Sequence, residues 1–384
     1  MKKLGFVLML IALTLVSSMA VAKKAPLPTT IITNDDNYYG NTATVFSFNA
    51  TTGVATQTNV LTTGGYGLGG GFFAAHDVDV ATTKACVWVI DTGSNDIAAF
   101  KGPSGSYAFV GNYTASNSLW AYDGGALALS ADGKALYTAN SESENISQWT
   151  VNSDCSLTWV ADYVPAETYD LYGTGLVVSP NGKYLLTSSS DYGFVETFTI
   201  NSDDSLTDLG SAYFNGFSQC SEGCYPAGIA ISTDGKAIVV GNASVGQSIM
   251  FAANIDTNGN ITNETVVSLT TKKNPLDNPE VPILAASNAK TGLAKGVMSM
   301  SGFGSSYPGG ITTFTLNETT VGSSKVGKST VNNASPDGYY GTIRYLGTWV
   351  VQAGYPGTIS AFKGTKRVDS ADAQGVGLLS LEVF

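Results

Sequence analysis

Charged side chains, and basic ones above all, are scarce in this chain. Of its 384 residues only 13% are charged, and 19 lysines and arginines face 30 aspartates and glutamates, which gives a formal net charge of −11. There is one histidine, His76, and there are two arginines, Arg344 and Arg367. Because nucleic acids and anionic membranes attract basic proteins, this balance argues against both as partners.

Long apolar runs are lacking beyond the first residues. Residues 1–22 have the plan of a secretory signal peptide, with Lys2–Lys3, an apolar run over Leu4–Val16 and a small-residue cleavage site at Ala20–Ala22. That run is too short to span a bilayer, and no later stretch reaches the required length. We therefore expect an exported protein, secreted or periplasmic, whose mature chain (23–384) does not insert into a membrane.

Cysteine is rare, and four cysteines permit at most two disulfides. Cys220 and Cys224 can close a small loop. Cys86 and Cys155 are either the second pair or two free buried thiols. The spacing of Cys220 and Cys224 is not that of a zinc site, and no haem-attachment motif occurs. We expect no metal and no cofactor.

Turn-forming and strand-forming residues are abundant, and they are arranged in a repeat. The clearest unit covers residues 124–160, where four short alternating segments are separated by turns. Its first turn, Ala-Asp-Gly-Lys at 131–134, has close copies at 180–183 and 233–236. These copies are spaced by about 50 residues, the length of one blade in several propeller families.

A second marker, a β-branched residue followed closely by an aromatic residue, occurs seven times. The aromatic residues are Phe48, Phe100, Trp149, Phe198, Phe251, Phe314 and Phe362. A four-stranded repeat of this length indicates a β-propeller. We predict an all-β protein with a single domain over residues 23–384, a seven-bladed propeller of four-stranded antiparallel blades. A β-sandwich is the alternative.

The two ends of the repeat region are incomplete. Residues 30–33 resemble the second strand of a repeat rather than the first, and residues 377–384 form a spare strand. We predict that the C-terminal strand completes the N-terminal sheet and closes the ring, because closure removes exposed strand edges. The stretch 272–289 departs most from the repeat, and we interpret it as a proline-stiffened surface loop.

The period and the turns, such as Ser-Pro-Asn-Gly-Lys at 179–183 and Asn-Ser-Asp at 201–203, resemble the lactonase-like seven-bladed propellers. This group includes bacterial 6-phosphogluconolactonase and fungal carboxymuconate-lactonizing enzymes, and the YVTN surface repeats are similar. The resemblance implies opening or closing of a lactone ring, without a metal, by histidine, arginine and glutamate at a channel mouth. Family blades often begin Gly-Pro-Arg-His, whereas here Pro226 is followed by Ala227 and Gly228.

Two positions are candidates for catalysis. His76 and Asp77 precede a predicted innermost strand, so we interpret His76 as a general acid or base that Asp77 or Asp79 orients. The alternative is a histidine bonded to a loop carbonyl. Arg344 lies in the first strand of the last full repeat. It can hold a carboxylate or a developing oxyanion, or pair with an inner-strand Asp for structure.

Other polar residues occupy equivalent loops. The candidates for substrate binding precede further innermost strands and suit carbohydrate, because aromatic faces stack on sugars and carboxylates bond hydroxyls; they are Tyr122, Asp123, Tyr172 and Tyr225. Loops between second and third strands carry acidic residues that we interpret as solvated turn residues rather than a Ca²⁺ site; they are Asp35, Asp36, Asp91, Asp96, Glu142, Glu144 and Asp191.

These patterns and the resemblance together predict a function. We expect a monomeric, exported lactonase-like propeller that hydrolyses a small, sugar-type lactone at the channel mouth. His76 would act as base toward water and Arg344 would stabilise the oxyanion. The alternative is a non-catalytic exported propeller that binds a glycan or a surface protein.

Overall fold

The computed structural model describes most of the chain beyond the first 28 residues. The described ranges are 29–69, 80–83, 85–103, 105–114, 125–140, 143–165, 173–189, 193–214, 224–244, 246–270, 276–277, 279–302, 308–334, 339–373 and 380–384. The signal peptide predicted for residues 1–22 lies outside them.

The described residues form seven separate four-stranded antiparallel sheets. We call them blades 1 to 7, and blade 1 holds four strands in the order β28 (Ser380–Val383), β1 (Thr30–Asn34), β2 (Thr42–Phe48) and β3 (Ala55–Thr62). Each innermost strand contacts the innermost strand of the blade on either side. The innermost strands of blades 1 to 7 are β28, β4 (Val80–Thr82), β8 (Gly125–Leu129), β12 (Gly173–Val178), β16 (Pro226–Ile231), β20 (Pro279–Leu284) and β24 (Tyr340–Leu346). The sheets therefore form a closed ring around an axis, and the predicted seven-bladed propeller is confirmed.

In the first four blades the second and third strands are buried on both faces along most of their length. In chain order the strands from β1 to β15 are β1 (Thr30–Asn34), β2 (Thr42–Phe48), β3 (Ala55–Thr62), β4 (Val80–Thr82), β5 (Cys86–Asp91), β6 (Asp96–Lys101), β7 (Ala108–Tyr113), β8 (Gly125–Leu129), β9 (Ala135–Asn140), β10 (Asn145–Val151), β11 (Leu157–Tyr163), β12 (Gly173–Val178), β13 (Tyr184–Ser189), β14 (Phe194–Ile200) and β15 (Leu206–Tyr213).

The remaining blades follow the same plan, with one short 3-10 helix at Val321–Ser323 before the outermost strand of blade 6. Their strands are β16 (Pro226–Ile231), β17 (Ala237–Asn242), β18 (Ile249–Ile255), β19 (Ile261–Ser268), β20 (Pro279–Leu284), β21 (Leu293–Met300), β22 (Gly310–Asn317), β23 (Lys325–Val331), β24 (Tyr340–Leu346), β25 (Trp349–Gly354), β26 (Thr358–Lys363) and β27 (Lys366–Asp372). The last strand, β28 (Ser380–Val383), belongs to blade 1.

Blade 1 is built from both ends of the described chain. Strand β28 pairs antiparallel with β1, with Ile32 opposite Glu382 and Thr33 opposite Leu381. The backbone N–H of Thr30 also donates to the carbonyl of Phe384. The C-terminal strand thus occupies the innermost position that β1 leaves open, which confirms the predicted closure.

The repeated turns join innermost strands to second strands, and their chemistry explains their recurrence. Gly133 has φ +72°, which costs glycine little, and its N–H donates to the carbonyl of Ser130 at 2.9 Å. The carboxylate of Asp132 accepts hydrogen bonds from the Ser130 hydroxyl and from the Lys134 N–H, at 2.9 and 3.1 Å. The copies in blades 4 and 5 have the same geometry, so a local sequence signal sets the hairpin register.

The hydrophobic core lies between neighbouring blades, because each blade buries both of its faces. The aromatic residues predicted on third strands are all buried, and among them Trp149 packs with Trp88 of the preceding blade and Phe198 with Tyr137. Complete burial of such a side chain contributes about 2 kcal/mol. These interfaces hold the ring together, since a single four-stranded sheet cannot bury its own faces.

A disulfide joins two blades. Cys86, at the start of β5, is bonded to Cys155, in the turn between β10 and β11. Nearby, the Trp88 indole N–H donates to the carbonyl of Cys155 at 3.0 Å. Of the two alternatives that the sequence left open, the disulfide is correct. Cys224 is disulfide-bonded as well, whereas Cys220 lies outside the described residues.

The interpretation of 272–289 as a surface loop is wrong for its central part. Residues Pro279–Leu284 form β20, the innermost strand of blade 6. An innermost strand is hydrogen-bonded along one edge only, so Pro279 and Pro282 do not interrupt a ladder on both sides. The register with β21 shifts between these two prolines. Because proline disfavours strands, β20 could not be predicted from the strand propensities of its residues.

Among the described residues, no helix combines the length and the apolar character needed to cross a membrane.

Candidate functional site: the central channel

The innermost strands all run from one face of the ring to the other. We call the face where they begin the upper face and the face where they end the lower face. Because the blades are antiparallel, the loops between second and third strands also lie on the upper face. The repeated Asp-Gly-Lys turns lie on the lower face.

Most of the site residues predicted from sequence lie outside the described residues. Their proposed roles therefore stay predictions; they are His76, Asp77, Asp79, Tyr122, Asp123 and Tyr172. Two predicted site residues, Arg344 and Tyr225, are described.

Arg344 is the fifth of the seven residues of β24, so it lies toward the lower end of the channel. Its Nε donates to Oε2 of Glu382 at 2.9 Å, and its Nη1 donates to the carbonyl of Ile343 at 3.1 Å. The side chains of Arg344 and Glu382 are 25% and 26% exposed, so the ion pair is accessible from the channel. It links blade 7 to the closing strand of blade 1.

Glu382 was not among the residues predicted from sequence. The structural partner that we expected for Arg344 from sequence was an inner-strand aspartate, whereas the observed partner is a glutamate. The available signal was one acidic residue in the apolar final segment, GLLSLEVF. A glutamate in the strand that closes the ring has to face either a neighbouring blade or the channel, and there it is paired with the arginine of β24.

A cavity of about 380 Å³ opens beside this ion pair. It is walled by β4, by the lower halves of β8 and β12, and by the residues from Glu382 onward. Among the lining side chains Arg344 is the one cation and Glu382 the one acid, and the others, apart from Thr82, are apolar. Five of the seven blades contribute to this wall, so the cavity is a product of ring closure.

The arrangement can bind a polar group at one side of a confined space. A guanidinium presents N–H donors in a fixed plane and suits a carbonyl, carboxylate or oxyanion. The carboxylate of Glu382 holds that guanidinium in place and neutralises its charge. The cavity can therefore orient a small ligand through the oxygen that the ligand directs toward Arg344.

Tyr225 lies on the upper face, immediately before β16. Its side chain is 38% exposed, and its backbone N–H donates to Oδ1 of Asn242 at 2.9 Å. An exposed ring held by a fixed backbone is available for stacking on a ligand. Its role in substrate binding stays a prediction.

The acidic residues of the upper loops in blades 1 and 2 are not solvated turn residues, and that interpretation is wrong for them. Asp35, Asp36 and Asp91 are fully buried and Asp96 is 8% exposed. The carboxylate of Asp35 accepts hydrogen bonds from the hydroxyls of Thr33, Thr42 and Thr44 at 2.6 to 2.7 Å. Desolvation by burial outweighs these bonds and raises the pKa of Asp35 to about 6.

Asp91 and Asp96 face each other across the β5–β6 hairpin. Burial raises the pKa of both carboxyls, and for Asp91 the negative charge of Asp96 adds to the rise. Oδ1 of Asp91 accepts a hydrogen bond from the Asn41 side chain at 2.7 Å, which connects blades 1 and 2. In the described part of the chain, no three potential ligands converge as a metal site would require.

Seven blades closed around an axis, with a small cavity opening into the channel, define a single-ring β-propeller that can hold a ligand. The chain belongs to a known family of such propellers: the sequence profile described as lactonase, 7-bladed beta-propeller, matches residues 34–267, more than half of the chain. No curated protein sequence matches it significantly.

Solved structures share the fold at low sequence identity. A putative 6-phosphogluconolactonase from Bacteroides uniformis is 12% identical with a TM-score of 0.64, and the match covers 93% of this chain and 100% of that one. A putative 6-phosphogluconolactonase from Bacteroides fragilis is 15% identical with a TM-score of 0.63, covering 94% and 99%. The periplasmic gluconolactonase of Pseudomonas aeruginosa is 14% identical with a TM-score of 0.64, covering 92% and 99%.

Proposed function

We propose that this protein hydrolyses a small, sugar-type lactone in its central channel, and that it does so as an exported monomer. The observation that carries the proposal is an arginine on the wall of a channel cavity in a member of the lactonase propeller family. The names of the structural neighbours, gluconolactonase and 6-phosphogluconolactonase, favour the same reaction class.

The proposed reaction adds water to a cyclic ester. His76 takes a proton from water, and the hydroxide attacks the carbonyl carbon of the lactone. Arg344 donates to the carbonyl oxygen as negative charge develops on it. Because Arg344 lies toward the lower end of β24 and His76 precedes β4 in sequence, the proposal requires the His76 side chain to reach the same lactone from the upper side of the channel. The ring C–O bond then breaks, the leaving alkoxide receives the proton from His76, and the product is a hydroxy acid.

The test is hydrolysis of a panel of small lactones by the wild-type protein and two variants. We expect His76→Ala to lower kcat at least about 100-fold, the usual contribution of a general base. Arg344→Gln should lower kcat/KM by a similar factor, because it removes an oxyanion contact. Arg367→Gln is the matched control, since Arg367 lies on the outermost strand of blade 7.

Melting temperatures of the three variants, the control included, check that each is folded at the assay temperature. Arg344→Gln loses the partly exposed ion pair with Glu382, so it should melt slightly below the wild type. Absence of turnover with every lactone would refute the proposal, as would full activity of His76→Ala.

A glycan-binding function is the second candidate, and one observation favours it. Three exposed tyrosines, Tyr38, Tyr39 and Tyr66, belong to upper-face loops and are 54%, 98% and 48% exposed. Tyr38 and Tyr39 make an edge-to-face contact with ring centroids 4.9 Å apart. Exposed aromatic faces of this kind stack on sugars. Saturable glycan binding that Tyr39→Ala weakens, together with no lactone turnover, would select this function, whereas binding to a surface protein would give no glycan signal.

A further inference from the structure

The channel cavity offers a ligand no uncompensated positive side chain among the described residues. Arg344 is the one cation on its wall, and the carboxylate of Glu382 lies 2.9 Å from its Nε. The whole chain carries a formal charge of −11. An anionic group that enters the cavity therefore meets a neutralised arginine, a nearby carboxylate and an overall negative field.

Neutral and anionic ligands should respond differently to this pair. A lactone carbonyl is neutral in the bound substrate and needs only a hydrogen-bond donor, which a paired guanidinium still supplies. During hydrolysis the same N–H group donates to the oxygen while charge develops on it transiently, so no uncompensated cation is needed. A phosphate or carboxylate would have to compete with the Glu382 carboxylate for the same guanidinium. The negative charge of Glu382 would also repel it. The hydroxy acid formed by hydrolysis is itself a carboxylate, so the same repulsion favours its release.

We propose that Glu382 is a specificity-determining residue that restricts the channel to neutral, unphosphorylated lactones and weakens binding of the carboxylate product. This inference rests on the proposed function in so far as the ligand is a lactone. It adds a substrate class, and a role for a residue that does not itself touch the reacting bond.

Binding can be measured separately from turnover with ring-amide analogues, which lactonases hydrolyse slowly if at all. The probes are a neutral polyhydroxylated δ-lactam, the same lactam carrying a phosphate ester, and the open-chain hydroxy acid. Isothermal titration calorimetry gives Kd for each probe with the wild type and with Glu382→Gln. Glutamine keeps the side-chain length and an acceptor oxygen for Arg344 but removes the charge.

The matched control is Glu264→Gln, an identical charge change on the exposed face of β19, the outermost strand of blade 5. We expect the wild type and this control to bind the neutral lactam at least about tenfold more tightly than either anion. In Glu382→Gln the affinity for each anion should increase at least about tenfold, which corresponds to about 1.4 kcal/mol. The Kd of the neutral lactam should change little.

A second measurement does not depend on a variant that folds. In the wild type, raising the salt concentration should reduce the ratio of the Kd of each anion to the Kd of the neutral lactam, because salt screens repulsion between partly exposed charges. Equal binding of neutral and anionic lactams by the wild type, or tighter binding of the anions, would overturn the inference. An unchanged anion affinity in folded Glu382→Gln, or no binding of any lactam, would overturn it as well.

These outcomes are separable from the fate of the proposed function. Selective binding of the neutral lactam without turnover of any lactone would retain the charge selectivity and remove the hydrolase activity. Turnover of phosphorylated and neutral lactones with equal kcat/KM would retain the hydrolase activity and remove the selectivity.

Discussion

Cys86 and Cys155 link neighbouring blades across 69 residues of chain. Cys86 begins the second strand of blade 2, and Cys155 lies in the outer hairpin turn of blade 3. The disulfide therefore holds blades 2 and 3 together at this point. A cross-link between residues so far apart in sequence restricts the unfolded chain strongly, because it closes a long loop.

Replacing both cysteines by alanine should lower the free energy of unfolding by about 4 kcal/mol, the value expected for a loop of this length. Denaturant unfolding of Cys86→Ala/Cys155→Ala measures the loss. Each single variant should lose a similar amount, because either one breaks the same bond. An unchanged denaturation midpoint in the double variant would show that the cross-link contributes nothing to stability.

Gly53 marks a tight contact between the first and last blades. It has φ +82°, and a Cβ at this position would overlap the ring of Trp349 in β25. Gly53→Ala should therefore cost about 3 kcal/mol, the sum of backbone strain and overpacking.

Gly105→Ala is the control for that prediction. Gly105 has a similar φ of +84°, but a Cβ there would meet no atom within 4 Å. We expect a loss of about 1 kcal/mol from strain alone. Equal melting temperatures for the two variants would contradict the steric role of Trp349.

Removal of residues 377–384 should abolish cooperative folding. The deletion removes β28, which leaves the channel edge of β1 unpaired and takes Glu382 away from Arg344. Thermal unfolding followed by circular dichroism tests this, and a melting curve like that of the full chain would exclude closure by β28. A deletion of equal length within a loop removes no strand and leaves every blade complete. It is therefore not equivalent to the removal of β28.

The stability of the protein should fall as pH rises from about 4 to about 6. Asp35 has a pKa of about 6 in the folded state against 3.8 as the ordinary value, so the folded state holds its proton more tightly. The stabilisation is complete below the unfolded pKa and is lost as pH rises through the folded one. A shift of about two units corresponds to about 3 kcal/mol.

Asp35→Asn removes this titrating carboxyl. Between about pH 4 and about pH 6 the unfolding free energy should therefore fall less steeply with pH, by an amount that corresponds to about one proton. Asp91 and Asp96 should leave a residual slope of the same sign, because burial raises the pKa of both. Denaturant unfolding at several pH values measures the slopes. A variant with the wild-type slope would show that Asp35 ionises normally in the folded state.

The blades could be predicted from sequence because their signals are local. Ser130 and Gly133 define a hairpin turn through bonds within four residues, and the same turn recurs in other blades. The buried aromatic residue of each third strand recurs at intervals of 48 to 53 residues, apart from the 63 residues between Phe251 and Phe314. The innermost strand β20 was missed because Pro279 and Pro282 oppose strand propensity, and only its position at the channel edge makes them acceptable.

The candidate site was predicted in part. Arg344 was identified as a channel residue, but its partner Glu382 was not, since the two are separated by 38 residues and lie in different blades. The burial of Asp35 also escaped prediction. Its three threonine partners come from two strands, and an aspartate in a loop between strands is ordinarily solvated.

Sequence alone determined the blade, the number of blades and the manner of closure, because turn chemistry and the alternation of side chains depend on neighbours along the chain. Tertiary structure alone decided which charges meet at the channel and which carboxyls lose their water. Those outcomes depend on distances across the ring, and the distances exist only once the last strand has joined the first sheet.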